Sequence, residues 1–315
     1  MTPLKAESGM PAERRRYGIA EWYGRSFTHM SPQERKDIAE AQAARPPQLP
    51  CPWRSSVEQH YSCNKKGGVC SLRVYHKDPK TGSVSAPAGE DAGFSTVCPN
   101  RFYERGMIFR WIGETVLGCP EPIVLPEIAF LERTDSGARQ RGDVGRIDRV
   151  LVVPSTEPLR WCALEMQAVY FSGAAMSSEF TLLREFGGPG IPFPVGHRRP
   201  DFRSSGPKRL MPQLQIKVPA LRRWGKRMAV VVDRAFFENL ARMNEVPDIS
   251  NCDIAWFVVR YAERATRLEL EQESVRLTTL ENAVEGLTAG KPVSLETFEA
   301  RIREKLAATA TRHTN

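Results

Sequence analysis

The stretch IDRVLVV at residues 147–153, followed by WCALEMQ at residues 161–167, decides the fold of this chain. Both segments are rich in apolar and β-branched residues, and the short polar connection between them predicts a hairpin. Glu165 and Gln167 lie two residues apart on the second strand, so their side chains leave the same face of the sheet. Asp148 lies near the start of the first strand. The hairpin therefore predicts that Asp148 and Glu165 meet at one edge of the sheet.

Strands and helices alternate on the carboxyl-terminal side of this hairpin, and this alternation predicts an α/β fold. A helix start stands upstream, where Ser31 precedes Pro32 and Glu34 completes a capping box. The elements predicted after the hairpin are a helix at 174–186, a strand at 228–233, a helix at 236–243, a strand at 254–261 and a helix at 294–308.

The composition is that of a globular protein. Its 315 residues are 41% hydrophobic and 26% charged, which excludes a collagen-like, disordered or coiled-coil chain. No apolar run reaches the roughly 18 residues of a membrane helix, and no apolar stretch follows the arginines at 14–16 as a secretory signal would require. We therefore expect a cytoplasmic protein without a membrane partner. We predict two regions, at residues 1–100 and 101–315.

Positive charge is concentrated in one segment. Residues 197–234 hold eleven Lys and Arg against two acids, a net +9, whereas the other 277 residues net −1. Concentrated cationic charge attracts a phosphate backbone, although a solvated basic face without a partner has the same composition. The residues of this segment that we expect to bind DNA are Lys208, Arg209, Gln213, Arg222, Arg223 and Lys226.

Four of the seven cysteines lie in one segment that is poor in aliphatic residues. Cys51, Cys63, Cys70 and Cys98 are separated by eleven, six and twenty-seven residues, with no Cys-x-x-Cys pair. Because such a segment cannot build much core alone, it needs a cross-link. Four thiolates suit a tetrahedral metal such as zinc or iron, with His60 as a substitute ligand. Unconnected free thiols are the alternative.

Asp148 and Glu165 together supply oxygen ligands of the kind that Mg²⁺ prefers. Such an ion acidifies a water molecule and stabilises charge on a phosphoryl group. Gln167 stands where nucleases often carry Lys; its amide can donate to a phosphate oxygen but supplies no positive charge. The alternative is structural, because Glu-x-Gln occurs by chance and an Asp at a strand start is often a turn cap. Asp143 is a rival for the role of Asp148.

The cysteine segments, the carboxylate hairpin and one later segment follow each other in a defined order. They are CPW at 51–53, SC at 62–63, GVC at 68–70, VCPNR at 97–101, IDRVL at 147–151, LEMQ at 164–167 and KRLMPQ at 208–213. The first four resemble the metal-binding region of NotI-type restriction endonucleases. The next two are similar to that family's form of the PD-(D/E)XK nuclease motif, in which Gln replaces the usual Lys. The last, KRLMPQ, resembles a family segment downstream of this motif.

The resemblance implies an α/β PD-(D/E)XK core, a mixed sheet flanked by helices, with a small four-cysteine metal-binding region at the N-terminus. It implies that the cysteines hold a structural iron ion, with zinc as the alternative. Asp148, Glu165 and Gln167 would form the catalytic site, with Mg²⁺ on Asp148 and Glu165. The implied enzyme is a type II restriction endonuclease, a homodimer that cuts both strands of double-stranded DNA at a GC-rich palindrome.

Two other functions remain open from the sequence. The first is a metal-bearing DNA-binding protein or regulator with an inactive nuclease core. The second is a DNA repair nuclease that selects DNA structures instead of a base sequence. A dead site would usually lose one of its acids, and both Asp148 and Glu165 are present, which favours an active nuclease.

Overall fold

The computed structural model describes residues 14–44, 49–55, 60–132, 143–289 and 293–312. The strands are β1 (Arg14–Trp22), β2 (Arg25–Ser26), β3 (Val69–Lys77), β4 (Val84–Ser85), β5 (Ser95–Thr96), β6 (Ile123–Leu125), β7 (Ile128–Glu132), β8 (Asp143–Ile147), β9 (Arg149–Val153), β10 (Arg160–Met166), β11 (Phe171–Gly173), β12 (Arg198–Pro200), β13 (Met228–Asp233), β14 (Ile254–Glu263) and β15 (Leu268–Thr278). The helices are α1 (Pro32–Ala44), α2 (Met107–Ile112), α3 (Ser177–Glu185), α4 (Phe202–Ser205), α5 (Met211–Arg223), α6 (Arg234–Glu238), α7 (Leu280–Thr288) and α8 (Leu295–Arg312).

A six-stranded sheet forms the centre of the molecule, in the order β15-β14-β13-β10-β9-β6. Strands β10, β13 and β14 run parallel to one another, and the outer pairings are antiparallel. The predicted hairpin is confirmed, since β9 and β10 pair from Arg160↔Val153 to Leu164↔Arg149. The structure therefore confirms a mixed α/β fold.

Both faces of the central sheet are covered. Alternation along β13 sends Val230 and Val232 to one face and Ala229 and Val231 to the other, as the period-2 geometry of a strand requires. Helices α5, α6 and α7 pack on the first face, and α2 packs on the second. Such all-apolar strands are typical of parallel sheets that are buried on both sides.

A second, antiparallel sheet is built from the N-terminal strands, in the order β2-β1-β3-β4, with β5 also paired to β3. Residues 51–100 contribute Val69, Leu72 and Tyr75 of β3 to the core beneath this sheet, where all three are buried. Trp22 of β1 and Phe180 of α3 complete this core, with their rings stacked at 5.2 Å. The core therefore draws on distant segments, as expected for a segment that cannot build much core alone.

A buried ion cluster joins the two sheets. The Arg101 guanidinium donates to the Glu21 carboxylate of β1 at 2.8 Å, to Glu104 at 2.8 Å and to the backbone oxygen of Leu268 in β15. Arg101 and Glu21 are fully buried. Such a charge is tolerated in the interior only when its partners are complete. The boundary proposed at residue 100 stays a prediction.

The predicted helices are confirmed except one. The capping box at α1 forms, with Glu34 N–H donating to Ser31 Oγ and Ser31 N–H donating to the Glu34 carboxylate. The helix predicted at 236–243 is wrong in its second half, because α6 ends at Glu238. In the described residues, no helix is both long and apolar enough to cross a membrane.

Candidate active site

Asp148 lies at a bend between β8 and β9, next to the end of β10. Because Arg149 pairs with Leu164, the register of the hairpin places Asp148 beside Glu165. The Arg149 guanidinium donates to the Asp148 backbone oxygen at 2.6 Å and to the Tyr103 hydroxyl at 2.5 Å, which holds the bend. The Asp148 side chain is 48% exposed, so it is accessible from solvent.

Glu165 lies near the carboxyl end of β10, between β9 and β13 in the sheet. Its side chain is only 4% exposed. Burial raises the pKa of the Glu165 carboxyl above its ordinary value, the neighbouring Asp148 raises it further, and Lys217 lowers it. A buried carboxylate with a second acid beside it favours a cation in the space between them.

A cation stands at this position, and sequence reasoning missed its role. The Lys217 ammonium donates to Glu165 Oε2 at 2.6 Å, to Asp148 Oδ1 at 3.3 Å and to Gln213 Oε1 at 2.8 Å. Lys217 and Gln213 lie one turn apart on α5. The signal was present in the sequence, because Lys217 lies on the buried stripe of α5 between Leu214 and Leu221.

Gln167 lies just beyond the end of β10 and is 9% exposed. Its backbone N–H donates to Val231 in β13, and its side-chain amide donates to the backbone oxygen of Ala168 at 2.6 Å. Gln167 lines the same cavity as Glu165. The structure thus brings Gln167 to the site, and its catalytic role stays a prediction.

A cavity of about 690 Å³ opens beside Glu165 and Gln167, and its other charged lining residues are all cations: Lys65, Lys66, Arg198 and Arg209. A second cavity of about 740 Å³ shares Gly173 and Arg198 with the first. Its walls carry further positive charge from Arg15, Arg16 and Arg199. Two adjoining cavities with cationic walls suit a polyanion that lies across the acidic site.

The predicted DNA-binding residues fall into two groups. Arg209 and Gln213 line the cavity at the acidic site, and the Arg209 guanidinium stacks over the Tyr170 ring at 4.5 Å. Lys208 precedes them in the turn Gly206–Leu210.

The second group lies at the other end of α5. The Arg222 guanidinium pairs with Asp253 and Glu281, and Lys226 donates to the backbone oxygen of Leu159, before β10. Arg223 is exposed near these two residues. Arg222 and Arg223 end α5 and Lys226 follows it, at the opposite end of the helix from Gln213. The role of these three residues in DNA binding stays a prediction.

The four cysteines lie in one neighbourhood. The Cys98 backbone N–H donates to the Cys70 oxygen at 3.2 Å, and burial, with the nearby Cys51 and Cys63 thiols, raises the pKa of Cys98. The Trp53 indole donates to Cys70 Sγ at 3.2 Å. Among the residues that the structure describes, no three His, Cys, Asp or Glu are placed to hold a metal. The iron or zinc implied by the resemblance is therefore not supported by this arrangement.

The donor set at Asp148 and Glu165 does fit Mg²⁺. Both carboxylates already converge on a single cationic atom, Lys217 Nζ, and Asp148 is open to solvent. The Gln213 amide oxygen faces the same point. Hard cations take carboxylate and amide oxygens of this kind.

The fold and the site define a mixed α/β protein with a paired-carboxylate centre beside a cationic cleft. The family model described as "Restriction endonuclease NotI" matches residues 34–271. This is more than half of the chain, which therefore belongs to the NotI restriction endonuclease family. A comparison with curated proteins finds no match. Membership implies a deoxyribonuclease with DNA as its partner.

Proposed function

We propose that this chain is a type II restriction endonuclease that hydrolyses a phosphodiester bond in each strand of double-stranded DNA with Mg²⁺ as cofactor. The observation that carries the proposal is the convergence of Asp148 and Glu165 on one cationic atom beside a basic cleft. In a member of the NotI family, this combination favours cleavage over binding alone. The hairpin followed by parallel strands is consistent with a PD-(D/E)XK core.

The proposed chemistry is in-line attack of water on a phosphodiester. Mg²⁺ bound by Asp148 and Glu165 would supply a nucleophile at neutral pH and stabilise charge on the phosphoryl group. The chain's own residues bind and orient the DNA. The Gln167 amide would orient water or donate to a phosphate oxygen, since it lines the cavity with Glu165.

The proposed DNA path follows the two adjoining cavities. Arg209, Lys66, Arg199 and Arg15 line them and supply phosphate contacts, which position a duplex without reading its sequence. Arginine forks that reach guanine O6 and N7 would supply base recognition. A GC-rich palindrome is supported by the resemblance to NotI-type enzymes.

The proposed partner in solution is a second copy of the chain, because two active sites are needed to cut two strands together. Helix α8 supports this, since its apolar stripe Leu295, Phe298, Ile302 and Leu306 is exposed, from 44% at Ile302 to 72% at Leu295. An exposed apolar stripe on one helix suits a self-complementary contact between two copies of the chain.

The function is tested by incubating the purified protein with bacteriophage DNA and Mg²⁺. A type II enzyme yields discrete bands that are the same in every digest. Tight binding without cleavage under any divalent metal would contradict the proposal and favour the regulator. Cleavage that follows DNA junctions on synthetic substrates, whatever their sequence, would also contradict it and favour the repair nuclease.

A further inference from the structure

The centre of the acidic site holds a positive charge that comes from a helix. Lys217 enters from α5, its side chain is only 6% exposed, and its ion pairs are with Asp148 and Glu165. Two of its three oxygen partners, Glu165 and Gln213, line the cleft. The ammonium is therefore hydrogen-bonded directly to residues that line the space where DNA is proposed to lie.

The segment that carries Glu165 places no positive charge of its own at this point. Gln167, two residues after Glu165, is neutral, and its amide donates to the Ala168 backbone oxygen. A reaction that builds negative charge on a phosphoryl group gains from a positive group held at that point before the reaction starts. Lys217 is held in this way, because three oxygen atoms lie within 3.3 Å of its Nζ.

We propose that Lys217 is a catalytic residue of this enzyme, and that Gln213 is its positioning residue. The proposal rests on the proposed function. With DNA bound, the Lys217 ammonium exchanges its longest hydrogen bond, the one at 3.3 Å to Asp148, for one to a non-bridging oxygen of the scissile phosphate. Water oxygen forms a bond to phosphorus and one phosphorus–oxygen ester bond breaks, while the proton of the water passes to the products. Lys217 stays protonated throughout and acts by charge and hydrogen bonding.

A merely structural role makes a different prediction. If Lys217 only neutralises Asp148 and Glu165, any buried cation at this position should serve. Arginine keeps the charge but carries a wide planar fork in place of a compact ammonium. Lys217→Arg therefore separates the two roles, because it maintains the ion pairs of the site and moves the donating atoms.

The experiment compares Lys217→Arg and Lys217→Met with the parent, and with Lys36→Met as a matched control on the exposed surface of α1. Thermal unfolding reports folding, calorimetry reports Ca²⁺ binding to the free protein, and single-turnover digestion with Mg²⁺ reports cleavage. We expect Lys217→Arg to fold like the parent and cleave at least about tenfold more slowly. Lys217→Met should lose about a hundredfold or more. DNA affinity measured in Ca²⁺ should stay within about threefold.

Calcium binding gives a readout that does not depend on cleavage. Because the ammonium no longer competes for Asp148 and Glu165, Lys217→Met should bind Ca²⁺ more tightly than the parent does. Cleavage by folded Lys217→Arg at the parent rate would overturn the proposal, as would weaker Ca²⁺ binding by folded Lys217→Met. A parent protein that fails to cleave any DNA would instead overturn the proposed function. If Lys217→Met does not fold, Lys217→Arg alone decides.

Discussion

Asp233 is a fully buried carboxylate that serves two backbone amides at once. It ends β13 and caps α6, accepting from Phe236 N–H at 2.8 Å and from Thr96 N–H at 2.6 Å. Burial raises the pKa of Asp233 from 3.8 to about 6, against the opposing effect of these two hydrogen bonds. The residue thus links the central sheet to the N-terminal sheet through a carboxyl whose pKa burial has raised.

Stability should therefore fall as pH rises through the range in which Asp233 loses its proton. Between pH of about 4 and about 6, the folded state binds more protons at this residue than the unfolded state does, so the free energy of unfolding decreases by up to about 3 kcal/mol. The measurement is urea unfolding of the parent and of Asp233→Asn across this range. The difference between the two proteins should change by that amount. A difference that stays constant with pH would contradict the assignment.

At the residue scale, the sequence revealed the acidic pair but not its cation. Asp148 and Glu165 belong to one hairpin, so strand period and loop length were enough to bring them together. Lys217 is 52 residues from Glu165, and no local pattern fixes how α5 packs on the sheet. A lysine on an apolar helical stripe is the local signal that pointed to a buried partner.

At the scale of elements, the strands were more predictable than the helix ends. The strand predicted at 228–233 matches β13, since an apolar, β-branched run has few alternatives. Helix α6 ends early because the following chain docks on α7. Ala241 N–H donates to the Gly286 oxygen, and Met243 packs on Gly286, where an added Cβ would lie 2.2 Å from Met243 Cγ. Tertiary contacts of this kind are not visible in periodicity.

The four cysteines at positions 51, 63, 70 and 98 carry a prediction of their own. If the four cysteines hold a metal, the purified parent should contain about one iron or zinc ion per chain, and Cys63→Ser should lose it and unfold at a lower temperature. Elemental analysis and thermal unfolding measure both. Cys119→Ser is the matched control outside the segment. A parent with well below one ion per chain would remove the metal site.

At the scale of the whole molecule, positive charge is organised around the cationic cleft beside Asp148 and Glu165. The N-terminal sheet contributes Arg15 and Arg16, and the segment after β11 contributes Arg198 and Arg199 to the same cavity. The basic segment of the sequence indicated a polyanion partner. It did not reveal that part of its charge, such as Arg222, is paired with nearby acids.

DNA binding should weaken steeply with salt, because phosphate contacts release counterions. Replacing Arg199 by Gln should reduce the slope of log affinity against log salt by about 1. Fluorescence anisotropy with a labelled duplex in Ca²⁺ measures this slope. The control is Arg260 of β14, which pairs with Glu271 of β15. Arg260→Gln removes the same charge and should leave the slope unchanged. A flat salt response of the parent would contradict the proposed DNA path.

The assembly should depend on the apolar stripe of α8, which lies beyond the residues that match the family model. Ile302→Glu places a charge on this stripe and should convert a dimer into a monomer, as measured by analytical ultracentrifugation. Ala300→Glu adds the same charge to the opposite face of α8 and should leave the dimer intact. A parent that is monomeric at all concentrations, or an Ile302→Glu dimer, would contradict the proposed surface.

The central claim is that Asp148 and Glu165 form the centre that cuts DNA. The most direct test is the single-turnover cleavage rate of Glu165→Gln with Mg²⁺, beside Glu40→Gln on the exposed face of α1 as a control. We expect a loss of at least about a hundredfold in rate for Glu165→Gln, with DNA affinity in Ca²⁺ near that of the parent and Glu40→Gln fully active. Cleavage by Glu165→Gln at the parent rate would contradict the account.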